Sequence, residues 1–208
     1  LEFRRVLFRS RGDATLSPGT TKTMIENLPK GGKIRKDGKL KSIPSFSQFR
    51  QIPFLRKTLF CSSIPWGDVA SAYYSTGIPN ISVYGPTPKW SRLLRTPMKL
   101  MGPALSKPKV QKFLNQQIEK YVKGPSEEQQ KTSRMELWGE VKKGAKRCRG
   151  HLEIPEGYHF TMLTALKSVE KVLLGEVGPG SYTPSLAFGA NFIREFSDIS
   201  LNLESGIT

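Results

Sequence analysis

Apolar residues recur along this chain at two spacings, every second residue in some stretches and every third or fourth in others, and the changes between them mark its elements. In "KIRKDGKLKSI" alternation runs on both sides of Asp37-Gly38, residue types that accept the positive φ angles of a two-residue type I′ turn. A hairpin with Ile34 opposite Leu40 is expected. Strands are expected again at Gln48 to Phe54 and Lys57 to Ile64. A second hairpin is read in "SRMELWGEVKKGAKRCRGHLEI", turning at Lys143-Gly144, with Met135, Leu137 and Val141 on one side.

Helical spacing fills much of the rest. Ser17-Pro18 has the chemistry of an N-cap followed by a first-turn proline, opening a helix through Met24, Ile25 and Leu28 that Pro29 and Gly31-Gly32 stop. "DVASAYY" begins another. From Pro88 to Val122, Pro97, Pro103 and Pro108 divide a run rich in Lys, Met and Leu into two or three short helices. Ser126 in "GPSEEQQ" caps a further one, with Glu127-Glu128 at its positive end. Between Gly157 and Leu174, Phe160, Leu163, Leu166, Val169 and Leu173 form one stripe, and Gly175 ends the helix. "GPGSYTPS" turns into a last segment read as partly helical. Hairpins dominate over strand-helix-strand units, so the fold class is α+β, an antiparallel or mixed sheet with helices mainly on one face. "LEFRRVLFRS", Leu1 to Ser10, has no periodic partner and reads as a leader extraneous to one domain at 11–208.

Charge changes the picture more than overall composition does. The 208 residues carry a net +16 and a pI near 10.0, which favours polyanionic surfaces. The charge is uneven. Residues 89–123 hold nine Lys/Arg against Glu119 alone, whereas 152–208 hold three Lys/Arg against seven Asp/Glu. No zinc-finger spacing, RNP-like aromatic motif or arginine-rich repeat accompanies this charge, so no specific nucleic-acid partner is expected and the basic stretches read as solvated faces. Two cysteines, Cys61 and Cys148, and two histidines, His151 and His159, are too scattered for a zinc site, so no metal is expected. Both thiols read as buried in strands and both histidines as structural. No apolar run reaches the about 18 residues a membrane span needs, and cytoplasmic placement is the expectation.

The stretch "IPWGDVASAYYSTGIPNISVYG", Ile64 to Gly85, is the chemical anomaly. It gathers hydroxyls, an Asn, a Trp and three Tyr around a single charge, Asp68, as a pocket lining does. Around it no G-x-S-x-G elbow, Walker loop, H-E-x-x-H or paired-carboxylate cluster is present. "GEVGPGS" has glycines near dinucleotide-loop spacing but follows a helix, not a strand. The stretch resembles a segment of the saccharopine dehydrogenase-like oxidoreductases, and "GGKIRKDGKL", "GPSEEQQ", "LWGEV", "EGYHFT" and "YTPSLAFGANF" accompany it in that family's order. The resemblance covers about Arg11 to Phe196.

That resemblance implies the carboxy-terminal substrate and dimerisation half of a two-domain enzyme, without the family's Rossmann domain. It implies NAD or NADP held mainly by that other domain, a small-molecule substrate, hydride transfer, and a homodimer at full length. Asp68, Tyr73, Tyr74, Ser75, Thr76 and Asn80 are the substrate-pocket candidates, since neutral donors orient a substrate without repelling phosphates. A catalytic residue is not assigned. Structural readings stand beside these roles: Asp68 as a helix cap, Ser75 and Thr76 as helix terminators, Trp66 as core, and one of the adjacent tyrosines packed while the other faces the pocket. A rival reading is a peripheral membrane module. At 90–122, Leu93, Leu94, Met98, Leu100, Met101 and Leu105 alternate with Arg92, Arg95, Lys99 and Lys107, a composition suited to an anionic lipid surface.

Overall fold

A computed structural model describes residues 2–9 and 16–207, with the first stretch and 205–207 described by backbone alone. The chain opens with strand β1 (Glu2–Arg9), so the stretch set aside as a leader has a place in the sheet. Its boundary with the domain, at residues 10 and 11, lies outside the described residues. Helix α1 (Pro18–Asn27) follows, its first turn held by Ser17 Oγ, which accepts from Thr20 N at 3.2 Å. The first hairpin is β2 (Gly32–Lys36) and β3 (Lys39–Ile43), closed by Asp37 and Gly38 with φ of 53° and 74°. A two-residue turn there pairs Lys36 with Lys39, so Ile34 faces Lys41 and Arg35 faces Leu40, one step from the expected register.

Next come β4 (Phe49–Pro53), β5 (Thr58–Ser63), α2 (Asp68–Thr76) and β6 (Asn80–Pro86). Beyond a 3-10 turn lie α3 (Arg95–Leu105) and α4 (Pro108–Tyr121). Proline positions explain their limits only in part. Pro97 falls in the first turn of α3 and Pro108 at the first position of α4, where no intrahelical N–H bond is lost, but α3 runs on through Pro103 instead of breaking there. The second half comprises α5 (Glu127–Thr132), β7 (Arg134–Lys143), β8 (Lys146–Pro155), α6 (Gly157–Leu173), α7 (Pro184–Ala187) and β9 (Ser200–Ile207). Ser126 caps α5 in a reciprocal box with Gln129, and Glu156 caps α6 by accepting from Tyr158 N and His159 N at 2.7 and 3.1 Å.

The sheet order is β3-β2-β6-β1-β7-β8-β9, with β4 and β5 attached through β5 to β6. Every pairing is antiparallel except β1 with β6, which makes the fold a mixed-sheet α+β structure. The two faces are covered differently. On one, Leu137 and Ile154 pack against Phe160 of α6, with Ile193, Phe196 and Ile199 alongside, and α2 lies over β2 and β6 on that same face. On the other, the β4–β5 hairpin brings Ile52, Phe54 and Cys61 onto Tyr84 and Trp138. Burying side chains of this size stabilises by roughly 1.5–3 kcal/mol each. A buried carboxylate pins the hairpin: Glu136 Oε1 accepts from Leu55 N in its turn at 2.6 Å.

Candidate functional site

Helix α2 and the β2–β3 turn form one unit, and the sequence makes it so locally. Gly67 precedes α2, Asp68 puts a carboxylate in its first turn beside the positive end of the helix dipole, and Gly77 ends it at φ 67°. Gly77 leads directly into β6, which returns beneath the helix. The turn of the first hairpin is tied there twice: Gly38 N donates to Pro79 O at 2.9 Å and Asp37 N to Asn80 Oδ1 at 3.0 Å.

Arg35 fastens the helix itself. It is 6% exposed, donates through Nε to Val69 O at 3.1 Å, through Nη2 to Ala70 O at 3.0 Å and through Nη1 to Gly38 O at 2.7 Å, and lies 4.4 Å from the centre of the Tyr73 ring. Sequence reasoning passed over this residue. An alternating Lys33, Arg35 row beside a turn looks like any solvated strand face, and only the arrival of α2 makes it buried.

The pocket candidates divide by what they touch. Tyr73 packs on Arg35, while Tyr74 stands 71% exposed with its ring edge-on to Tyr73 at 5.7 Å. Adjacent helical residues point to different sides, so one ring packs while the other faces solvent. Ser75 Oγ donates to Ala72 O at 3.3 Å; Thr76 Oγ1 donates to the same carbonyl at 2.5 Å and accepts from Ile78 N at 3.2 Å. Both hydroxyls therefore terminate the helix. Asn80 anchors the hairpin, and Asp68 sits half-buried at the far end of α2, on the order of 12 Å along its axis from Thr76. Trp66, expected in the core, is 44% exposed, because the segment before α2 runs over the surface.

A second polar cluster lies on the opposite face of the sheet, under and beside the β4–β5 hairpin. Glu140 of β7 is buried, with Arg50 Nη2 at 2.8 Å, Arg149 Nε at 3.1 Å and Arg147 Nε at 3.7 Å. Burial works to raise its pKa, but hydrogen bonds from Arg50 and Arg149 and the charges of Arg50 and Arg147 outweigh burial and hold it below the ordinary carboxylate value. His151 Nδ1 is 3.4 Å from Glu136 Oε1, at the edge of the same cluster. Cys61 is buried and its thiol pKa is pushed up to about 12 by desolvation; Cys148, expected to be buried too, is exposed on β8. Among the described residues no group of three His, Cys, Asp or Glu is placed to hold a metal ion.

The "GEVGPGS" glycines follow α6 and lead to α7, whereas the glycine-rich loop of a Rossmann fold joins a strand to a helix. No protein-family model matches the chain, and no curated protein matches it.

Proposed function

We propose that the chain is the substrate and dimerisation half of a saccharopine dehydrogenase-like oxidoreductase, which carries out nicotinamide-dependent hydride transfer when a Rossmann domain stands upstream. The observation that carries this reading is the interlocking of two of its ordered motifs. "GGKIRKDGKL" and "IPWGDVASAYYSTGIPN" lie apart in sequence, yet Arg35, Asp37 and Gly38 of the first bind Val69, Ala70, Pro79 and Asn80 of the second through four hydrogen bonds. Arg35 Nη1 to Gly38 O closes the first motif on itself. The unit presents Tyr73 and Tyr74, whose rings carry the donors left for a substrate once Ser75, Thr76 and Asn80 have bonded to backbone.

Nicotinamide cofactor titration tests the reading. NADH and NADPH are expected to show no measurable binding to this chain and to bind once an upstream Rossmann domain is joined to it. Tight binding to the chain alone overturns the domain assignment, and absence of binding in the joined protein overturns the family assignment. In the joined protein, Tyr74→Phe is expected to lower turnover with unchanged stability, since a donor removed beside a substrate oxygen costs on the order of 1–3 kcal/mol.

A specific observation also favours the lipid reading. Leu93 is 77% exposed, and Trp90, Leu100 and Met101 are exposed beside Arg92, Arg95 and Lys107, although Leu94, Met98 and Leu105 of the same run are half-buried against the body. Among the described residues no helix is long and apolar enough to cross a membrane, so such contact is peripheral. Co-sedimentation with vesicles containing anionic lipid, and none with neutral vesicles, is the result that supports it; equal binding to both, or to neither, rejects it.

A further inference from the structure

The arginine cluster on the hairpin face has buried donors that no described residue satisfies. Arg50 comes from β4, and Arg147 and Arg149 from β8; all three converge on Glu140, with 25–36% of each side chain reaching solvent while the carboxylate is 1% exposed. The cross-strand neighbours add Lys142 opposite Arg147 and Glu204 opposite Arg149. Among the described side chains, Arg50, Arg147, Arg149 and Lys142 thus lie around Glu140 and Glu204, with Glu136 at the cluster's edge.

Arg50 Nη1 and Arg147 Nε are buried donors without an acceptor among the described residues, and so is Nε1 of Trp138, whose ring lies 5.1 Å from the Arg50 guanidinium. Buried donors without acceptors are costly, and guanidinium groups held in place by a shared carboxylate are preorganised to grip a second anion. Glu140 has already placed them.

We propose that Arg50, Arg147 and Arg149 form a binding site for a dianionic phosphate group, free or esterified, with Glu140 as the positioning residue that fixes the guanidiniums. Guanidinium donors arriving from two strands suit the tetrahedral oxygens of that ligand. The site is independent of the proposed oxidoreductase function, lying on the face of the sheet opposite α2.

The test measures the melting temperature of the 208-residue chain against increasing inorganic phosphate, or glycerol phosphate in a parallel arm, with ionic strength held constant by chloride. Saturable stabilisation above the chloride control is expected, with an apparent Kd at least tenfold weaker in Arg147→Gln and in Arg149→Gln. Lys109→Gln combined with Lys112→Gln, exposed positions on α4, is expected to leave that Kd unchanged, which separates a site from general screening of a +16 chain. Arg147 sits farthest from Glu140 and is half-buried, so its variant tests binding without removing the closest ion pairs. Stabilisation in both arms, or in the inorganic arm alone, identifies the phosphate group itself, and stabilisation by the ester alone identifies an esterified phosphate. No stabilisation in either arm, or the same Kd in both arginine variants as in the parent, overturns the proposal.

Discussion

Arg35 donates to three carbonyls and supports the Tyr73 ring, so its loss removes three charge-assisted hydrogen bonds that tie α2 to the hairpin turn and opens a cavity beneath the helix. Arg35→Ala is expected to destabilise the chain by about 3 kcal/mol or more in urea denaturation, and Arg35→Lys to recover only part of this because an ammonium cannot span three divergent carbonyls. Asn80→Ala should cost about 1 kcal/mol through the freed Asp37 N–H, whereas Trp66→Ala, at an exposed position, should stay within about 1 kcal/mol. The two thiols give a chemical check at the same scale. Iodoacetamide on the folded protein is expected to label Cys148 and leave Cys61 unmodified until denaturant is added, since burial both shields Cys61 and keeps it protonated. Sequence could nominate the hydroxyls and the amide of 64–85 by type, but a side chain's partner depends on which backbone passes within 3 Å of it, and in Arg35 that backbone comes from more than thirty residues away.

At the scale of elements, α6 shows how a correct helix can carry a misleading stripe. Its apolar positions repeat at helical spacing, yet only the first turns meet the sheet: Phe160 is buried, Leu163 half-buried, and Leu166, Val169 and Leu173 are exposed, the last by 82%. Phe160→Ala is expected to cost about 3–5 kcal/mol through a cavity, while Leu173→Gln should change stability by no more than about 0.5 kcal/mol, both read from chemical denaturation. The hairpins were legible because Asp37-Gly38 dictates its own turn, and the caps at Ser17 and Ser126 because their hydrogen bonds are local. Strands β6 and β9 were not. "NISVYGP" mixes polar and apolar residues because β6 lies mid-sheet beside β1, β2 and β5, and the last segment becomes strand only by pairing with β8.

For the whole molecule, the balance between net charge and a few buried ion pairs governs the response to pH. Glu140 has a pKa lowered by folding, so it binds a proton less readily folded than unfolded; its contribution is complete above the ordinary value of 4.5 and is lost as pH falls through the lowered folded value. Acid also raises a charge that is already +16. Glu140→Gln is therefore expected to lower stability at pH 7 and to flatten its decline between pH 5 and pH 3 relative to the parent, as followed by urea unfolding at each pH. A parallel decline in both proteins would mean that other carboxylates dominate the acid response.

Sequence alone determined the α+β class, the two hairpins, the helix caps and the polar anomaly at 64–85, because each depends on residues a few positions apart. Tertiary structure decided which face each polar group meets. It turned Arg35 from a strand-surface residue into the clamp of α2, spent Ser75, Thr76 and Asn80 on backbone, sent Cys148 and Trp66 to solvent, and gathered Arg50, Arg147 and Arg149 around Glu140. The physical reason is that burial is set by the order of strands in the sheet and by what covers each face. No local pattern records either.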